Sequence, residues 1–175
     1  MRLLLHMCCA PCALYPAGVL QDEKIEFEGF FYNPNIHPID EFNRRKENVE
    51  IFSKNKGIKT TYADDFLQND WENFSESDDE RCKMCYSLRL SKTARFAKEN
   101  GFNAFSTTLL VSPYQKHDLI KELGEKFSKD FGIEFYYRDF RPGFREGQAR
   151  AKELGLYRQK YCGCIKSLNR QRIFN

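Results

Sequence analysis

Apolar runs of strand length alternate with amphipathic segments along most of the chain. Five runs predict buried strands, and these are Leu3–Leu5, Phe27–Tyr32, Ile58–Tyr62, Ala104–Val111 and Ile133–Tyr137. Six segments predict helices, and these are Ala13–Leu20, Asp40–Lys56, Cys82–Asn100, Gln115–Asp130, Arg145–Leu154 and Cys164–Arg172. Gly57, Gly101 and Gly132 follow three of these segments, where helices commonly end. This alternation predicts an α/β fold with a mostly parallel sheet and helices on both faces.

The pattern predicts a single domain over residues 1–175, without internal repeats or a linker. Residues from about 64 to 85 begin with an acidic, irregular stretch, and we expect them to form an elaboration that carries a C-x-x-C motif. Open α/β sheets bind ligands beyond the carboxyl ends of their strands. Three polar segments follow predicted strands in this way, and they are His6–Cys12, Asn33–His37 and Ser112–Gln115. We therefore expect a site where these segments meet.

Length and the first residues narrow the class of protein. The chain has 175 residues and a mass of 20.7 kDa, which is enough to bury about two-thirds of the unfolded surface without disulfides. Neither the three leucines after Arg2 nor any later apolar run approaches the roughly 20 residues of a membrane span. We therefore expect a cytoplasmic protein without a membrane partner, in a compartment that keeps thiols reduced.

Charge is distributed unevenly along the chain. Residues 1–80 carry 8 Lys and Arg against 16 Asp and Glu, whereas residues 81–175 carry 20 against 9. A basic half with interleaved tyrosines suits a nucleic acid, through phosphate contacts and base stacking. A solvated basic surface over an ordinary aromatic core is the alternative.

All seven cysteines fall in three short motifs, which hold Cys8, Cys9 and Cys12, then Cys82 and Cys85, then Cys162 and Cys164. Such clusters in a reduced compartment predict metal binding rather than disulfides or isolated buried thiols. All-thiolate sites select zinc or iron–sulfur clusters. A four-cysteine zinc site would leave three thiols over, whereas a [4Fe–4S] cluster beside a single metal ion accounts better for seven.

The spacing of the cysteines leaves two points open. A C-x-x-C pair such as Cys82 and Cys85 also serves as a redox dithiol, so the motif alone does not decide between the two uses. Cys8 and Cys9 are adjacent in the chain, and we expect their side chains to point in different directions and to serve different centres.

Other polar residues are candidates for a direct role. His6 and His37 are candidate ligands or proton donors, with a structural hydrogen bond as the alternative for each. Asp139 follows a predicted strand and is a candidate ligand or general acid, unless it pairs with a neighbouring arginine. The segments Asn33–His37 and Thr107–Gln115 offer polar groups that suit a nucleobase, or a turn and a helix cap.

The chain contains six segments between about His6 and Leu168, in the order HMCCAPC, YNPNIHP, ERCKMCYSLRL, TTLLVSPYQ, DFRPGF and YRQKYCGC. In this order they resemble the cobalamin-independent epoxyqueuosine reductase family (QueH), over nearly the whole chain. The resemblance implies an oxidoreductase that reduces epoxyqueuosine in tRNA to queuosine, the final step of queuosine biosynthesis. It also implies an adenine nucleotide alpha-hydrolase-like (HUP) fold, in which the cysteine motif replaces the phosphate-binding loop after the first strand.

The resemblance further implies the cofactors and partners. The cofactors are a [4Fe–4S] cluster and an adjacent mononuclear iron, with all seven cysteines as metal ligands. Cys82 and Cys85 would hold the cluster together with Cys9 and Cys164, although the division of the other cysteines stays open. The partners are tRNA carrying epoxyqueuosine at the anticodon wobble position and an unidentified electron donor.

The same resemblance suggests the residues that act on the substrate. Asp139, His6 or Tyr161 would supply protons. Expected contacts with the substrate and the tRNA involve Asn33, Asn35, His37, Tyr114, Gln115, Arg141, Arg145, Arg158 and Lys160, with Arg89 and Lys92 as further phosphate-binding candidates.

Two other functions fit part of the pattern. A tRNA sulfurtransferase would also use a cluster, but it would need an ATP-binding loop, and no S-G-G-x-D-S-like or G-x-x-x-x-G-K segment occurs in the chain. A zinc-ribbon-like binding module would use the cysteines without redox chemistry, and it would be colourless.

Overall fold

The computed structural model contains a five-stranded, fully parallel sheet with the strand order β3-β2-β1-β4-β5. The strands are β1 Arg2–His6, β2 Glu26–Tyr32, β3 Thr60–Ala63, β4 Ala104–Thr107 and β5 Glu134–Phe135. The structure describes residues 1–170 completely and residues 171–174 by their backbone alone. The predicted α/β fold is confirmed.

Seven α-helices surround the sheet in the described part of the chain. They are α1 Ala10–Asp22, α2 Ile39–Lys56, α3 Gln68–Glu72, α4 Asp78–Glu99, α5 His117–Phe131, α6 Phe144–Glu153 and α7 Ile165–Phe174. Leu3 and Leu5 of β1 pack on the face that α1, α2 and α6 cover, whereas Leu4 packs on the face of α4 and α5. This alternation follows from the two-residue period of a strand, and it divides the core into two layers.

Local signals explain where several helices begin and end. Ser77 is the N-cap of α4, because its Oγ accepts a hydrogen bond from the Glu80 amide at 3.3 Å. Three acidic residues follow in the first turn of α4, where the helix dipole favours them. Gly57 and Gly132 end α2 and α5 with φ angles of 64° and 60°, a backbone conformation that glycine adopts without strain.

Several predicted elements differ from the structure at their ends, and α4 begins at Asp78, four residues before the predicted Cys82. The run Ala104–Val111 is a strand only to Thr107, and residues 108–111 form a 3₁₀ helix whose Leu109 amide donates to Thr107 Oγ1 at 3.1 Å. Helix α1 begins three residues before the predicted Ala13, because Cys9 serves as its N-cap and a proline occupies the first turn. Strand β5 is two residues long rather than five.

The segment between β3 and α4 contains the short helix α3. Trp71 of this helix is fully buried and packs with Cys85, Cys164 and Ile165. The expected elaboration therefore brings the second and third cysteine motifs together. The end of the final helix, predicted at Arg172, lies outside the residues whose side chains are described.

Among the described residues, no helix combines the length and the apolar character needed to cross a membrane.

Candidate metal centre and active site

The loops after β1, β2 and β4 surround a cavity of about 870 Å³. Strand β1 lies between β2 and β4: the chain builds β2 and β3 on one side of it and β4 and β5 on the other. The strand order therefore reverses at β1, and ligands bind at such a point in parallel sheets. Five cysteines line the cavity, and they are Cys12, Cys82, Cys85, Cys162 and Cys164. All three cysteine motifs therefore meet at the predicted edge of the sheet.

Cys8, Cys9 and Cys12 form a compact group, here called the cysteine triad. Their sulfur atoms lie within 4.8 Å of one another, and all three residues are buried. The sulfur atoms of Cys8 and Cys9 are 3.8 Å apart, so the expectation that these adjacent side chains point in different directions is wrong. The reason is that the chain turns from β1 into α1 at Cys9, which brings both side chains to the start of the helix.

Hydrogen bonds connect the triad to two other segments. Thr108 donates its hydroxyl to Cys8 Sγ at 3.3 Å, and its oxygen accepts from the Cys8 amide at 3.1 Å. Gln159 donates its amide nitrogen to Cys9 Sγ at 3.0 Å and approaches Cys12 Sγ at 3.6 Å. The triad is therefore fixed by the segment after β4 and by the loop before α7.

The three thiols of the triad differ in their readiness to ionise. Hydrogen bonds from Cys12 and Cys9 hold the pKa of Cys8 well below its ordinary value. The contact with Cys8 raises the pKa of Cys12, and burial raises the pKa of Cys9. Cys8 is therefore the thiol of the triad that ionises most readily, and metal binding to the triad would release protons.

The other four cysteines come from α4 and from the loop between α6 and α7. Cys82 and Cys85 are three residues apart in α4 and share one side of the helix. A hydrogen bond from the Cys164 thiol lowers the pKa of Cys162 to about 5. Burial raises the pKa of Cys82 and raises that of Cys85 to about 11, and the nearby charge of Cys162 adds to both shifts.

Arg89 lies behind Cys85, one helical turn further along α4. Its side chain is buried, donates to Cys85 Sγ at 3.1 Å and donates to the Cys85 carbonyl at 3.2 Å. The sequence suggested that Arg89 binds phosphate; in the structure it belongs to the cavity lining and its guanidinium donates to Cys85 Sγ. The four-residue spacing from Cys85 is the signal that could have indicated the pairing.

A buried arginine of α2 fixes the loop that carries Cys162 and Cys164. Arg45 donates to the Cys162 carbonyl at 3.1 Å and to the Tyr161 carbonyl at 2.9 Å, and its charge is balanced by Glu41 at 2.9 Å. On the other side of the loop, the His37 amide donates to the Gly163 carbonyl at 2.8 Å. The third cysteine motif is therefore tied to the segment after β2.

Both candidate histidines make structural hydrogen bonds. His6 Nε2 lies 3.0 Å from the Tyr32 carbonyl, which only accepts, so this nitrogen carries the proton and Nδ1 accepts from the Thr107 hydroxyl at 2.9 Å. Complete burial lowers the pKa of His6 to about 4. His37 Nε2 donates to the Pro34 carbonyl at 2.8 Å, and the ring packs edge-on against Trp71.

Asp139 is paired with its neighbour Arg141. The carboxylate receives hydrogen bonds from the Arg141 guanidinium at 2.8 and 2.7 Å and from its amide at 3.0 Å. These contacts lower the pKa of Asp139 to about 2, so the carboxylate is ionised at neutral pH. Asp139 therefore forms the salt bridge with a neighbouring arginine that the sequence offered as the alternative to a direct role.

The cavity brings together part of the predicted site. Its described lining includes Asn35, Tyr114, Gln115, Arg158, Lys160 and Tyr161 beside the five cysteines. Cys8 and Cys9 adjoin it through Cys12. The described lining does not include His6, Asn33, His37, Lys92, Asp139, Arg141 or Arg145.

Several residues of the site had no sequence signal. Gln159, Thr108 and Arg45 contact cysteines that are distant in sequence, so their spacing carries no information about the contact. Tyr86 also lines the cavity, and its hydroxyl donates to Gln115 Oε1 at 2.6 Å.

Fold and site together define an α/β protein with a multi-cysteine centre at the switch point of a parallel sheet. The family model described as "Epoxyqueuosine reductase QueH" matches residues 3–170. The chain belongs to the epoxyqueuosine reductase QueH family, a family of oxidoreductases.

Two curated relatives support this membership. The epoxyqueuosine reductase QueH of Thermotoga maritima is 35% identical over 180 residues, covering 97% of this chain and 91% of the relative. The epoxyqueuosine reductase QueH of Dehalococcoides mccartyi is 36% identical over 167 residues, covering 95% and 92%.

Solved structures show the same fold at low sequence identity. The U34-tRNA thiolase NcsA from Methanococcus maripaludis, solved with its [4Fe–4S] cluster, superposes with a TM-score of 0.64 at 14% identity. The match covers 95% of this chain and 61% of the thiolase. The zinc-inhibited form of teicoplanin deacetylase Orf2 gives a TM-score of 0.51 at 11% identity, covering 77% of this chain and 66% of the deacetylase. These likenesses confirm the HUP-like α/β fold.

Proposed function

We propose that the protein reduces the epoxide of epoxyqueuosine in tRNA to the cyclopentene of queuosine, the final step of queuosine biosynthesis. The observation that carries this proposal is a buried cysteine triad beside a cavity lined by five cysteines, in a chain of this reductase family. The reaction consumes two electrons and two protons. Both carbon–oxygen bonds of the epoxide break, a carbon–carbon double bond forms, and the oxygen leaves as water.

The geometry of the triad fits a single metal ion. Two sulfur ligands of one tetrahedral ion with bonds of about 2.3 Å lie about 3.8 Å apart. Cys8 and Cys9 have this separation, and Cys12 is close enough to be the third ligand. Three protein ligands would leave the fourth position open, as in catalytic metal sites. We therefore assign the mononuclear iron to the triad, including Cys9, which the family resemblance had placed with the cluster.

The remaining cysteines suit an iron–sulfur cluster. Cys82, Cys85, Cys162 and Cys164 provide four thiols around one cavity, the number that holds a [4Fe–4S] cluster. When bound, the cluster would supply electrons singly, and the iron would be a Lewis acid for the epoxide oxygen. The physiological electron donor is a partner of undefined identity.

Tyr161 is the proton donor that the cavity favours. Of the three candidates, it alone belongs to the described lining. Burial raises the pKa of Tyr161 to about 12, so its hydroxyl keeps its proton at neutral pH. The hydroxyl donates to the His37 carbonyl, so proton transfer to the substrate would require this hydrogen bond to break. Asp139 is already ionised and His6 lies outside the described cavity lining, so both fit this role less well.

The rim of the cavity supplies groups that suit RNA. Tyr114 is 85% exposed and contacts Phe144 edge-on, which leaves a ring face open for stacking on a base. Arg158 and Lys160 line the same cavity, next to the cysteine loop, and they suit phosphate oxygens. We propose that these residues hold the anticodon region while the modified base enters the cavity.

The test is a reduction of tRNA that carries epoxyqueuosine. Anaerobically purified protein, loaded with iron and reduced chemically, should convert epoxyqueuosine to queuosine, seen by mass spectrometry of nucleosides as the loss of one oxygen. Cys8→Ser should abolish conversion because it removes a triad ligand. Unchanged epoxyqueuosine with fully reduced, iron-loaded protein would refute the proposal. A colourless anaerobic preparation holding one zinc would favour the binding module instead.

A further inference from the structure

Gln159 lies between the cysteine triad and the cavity. Its Nε2 atom is 3.0 Å from Cys9 Sγ and 3.6 Å from Cys12 Sγ, and the residue lines the cavity. A metal-bound thiolate only accepts hydrogen bonds, so the NH₂ end of the carboxamide must be the end that faces the sulfurs. The orientation of the side chain is thereby fixed by the chemistry of the triad.

The other end of the carboxamide has no partner among the described residues. Gln159 Oε1 is a buried acceptor without a hydrogen bond, and Asn35 Oδ1, from the segment after β2, is another. Both residues line the cavity, and Asn35 is 2% exposed. A buried, unpaired acceptor costs about 1–3 kcal/mol, so two of them in one cavity indicate a ligand that donates hydrogen bonds.

We propose that Gln159 is a positioning residue that connects the triad to the substrate. Its NH₂ group holds the sulfurs of Cys9 and Cys12, and its Oε1, together with Asn35 Oδ1, accepts hydrogen bonds from hydroxyl groups on the substrate ring. The identity of the ligand rests on the proposed function, because the cyclopentane ring of epoxyqueuosine carries hydroxyl groups beside the epoxide. The contact with the sulfurs is independent of that function.

This arrangement gives one side chain two linked effects. Hydrogen bonds to ligand sulfurs raise the reduction potential of an iron–thiolate centre, because they stabilise the more negative, reduced form. The carboxamide of Gln159 also fixes the distance between the substrate's cyclopentane ring and the cysteine triad. A ring without hydroxyl groups would leave both amide oxygens unpaired, so the cavity would select against it.

The metal side of the proposal is tested on iron-loaded protein without tRNA. Gln159→Leu removes both ends of the carboxamide, and Gln159→Glu removes the donors but keeps an acceptor oxygen. We expect both variants to have more negative reduction potentials and shifted thiolate-to-iron absorption bands. Gln148→Leu is the matched control, because Gln148 lines the same cavity but makes no hydrogen bond to a cysteine sulfur in the described structure. Wild-type potentials and spectra in both Gln159 variants would overturn the sulfur contact.

The substrate side is tested by steady-state kinetics, with rates normalised to bound iron. Gln159→Leu should raise KM for tRNA carrying epoxyqueuosine about tenfold, the value of one lost hydrogen bond, whereas Gln159→Glu should raise it less. An unchanged KM in Gln159→Leu would overturn the acceptor role. If the leucine variant does not fold in a thermal melt, Gln159→Ala replaces it. If wild-type protein reduces no epoxyqueuosine, the proposed function fails, while the potentials still decide the sulfur contact.

Discussion

Arg89 places a buried positive charge directly on a cysteine sulfur. Burial raises the pKa of Cys85 to about 11, and the charge of Arg89 opposes this shift. Arg89 as a whole is only 4% exposed, so the interaction is little screened by water. Metal ligands bind as thiolates, and Arg89 therefore favours the form of Cys85 that a cluster needs.

Arg89→Met should weaken metal retention. The change removes the donor to Cys85 Sγ and leaves the Cys85 carbonyl without this partner, at a cost of about 1–3 kcal/mol in the free energy of unfolding. We expect less iron per chain and weaker absorbance near 400 nm after anaerobic gel filtration. Arg95→Met is the control, because Arg95 is an exposed residue of the same helix. Equal iron content in the two variants would contradict the role of Arg89.

Tyr161→Phe and Asp139→Asn separate two candidate proton donors. Loss of the Tyr161 hydroxyl should lower kcat about 10²-fold, the usual contribution of a general acid. Asp139→Asn should keep most of the activity, because the carboxylate is ionised and lies outside the described cavity lining. Single-turnover conversion of epoxyqueuosine measures both effects. The opposite ranking would assign proton transfer to Asp139.

At the scale of elements, strands with strong local signals were predicted well. Strand β1 has three consecutive leucines and β2 ends in the aromatic residues Phe30–Tyr32, and both strands match the predicted spans to within a residue. The end of β4 was wrong because residues 108–111 are as apolar as the strand, and the side-chain cap from Thr107 converts them to a 3₁₀ helix. Periodicity cannot distinguish these two states in so short a buried run.

The sequence indicated which cysteines gather at the candidate site, but not the residues that support them. Cysteine spacing marked the candidate metal ligands, since each motif is local. The supporting contacts join residues 117 positions apart for Arg45 and Cys162, and 150 apart for Gln159 and Cys9. Only the folded sheet places such residues together, and a single sequence holds no local trace of them.

The loop between α6 and α7 depends on the backbone conformation of Gly163. Its φ angle is 116°, and an added Cβ would lie 3.1 Å from Ile36 Cγ1 and 3.2 Å from Arg45 Nη1. Gly163→Ala should therefore lower the free energy of unfolding by about 1–3 kcal/mol and reduce iron retention. Thermal melting and iron analysis measure the two effects.

Gly155→Ala is the matched control for this loop. Gly155 also has a positive φ, 65°, but nothing lies within 4 Å of an added Cβ. It should cost about 1 kcal/mol and leave the iron content unchanged. A Gly163→Ala protein with normal iron content would show that the loop tolerates displacement. Its two cysteines would then not depend on the backbone conformation of Gly163.

Over the whole molecule, the charge asymmetry of the sequence reappears around the cavity. Asp78 and Asp79 stand at its wall, but Asp78 is paired with Arg81 and Arg170, and Asp79 is paired with Lys116. The acidic first turn of α4 is thus partly neutralised by basic residues of the second half. Basic side chains of the loop before α7 form the rest of the cavity wall. A polyanion that approaches this wall therefore meets basic side chains, and acidic side chains that are already paired.

The dependence of tRNA binding on salt tests this distribution of charge. Each phosphate contact releases counterions, so loss of one contact should weaken affinity and reduce the slope of log K against log salt by about one. We expect this for Arg158→Ala, since Arg158 lines the cavity. Lys59→Ala should change neither quantity, because Lys59 lies just before β3 in the acidic half and pairs with Glu28. Arg145→Ala tests how far the tRNA-binding surface extends from the cavity. An effect equal to that of Arg158→Ala would extend the tRNA contact beyond the cavity, whereas no effect would confine the contact to the rim. Equal slopes for wild type and Arg158→Ala would contradict phosphate binding at the rim.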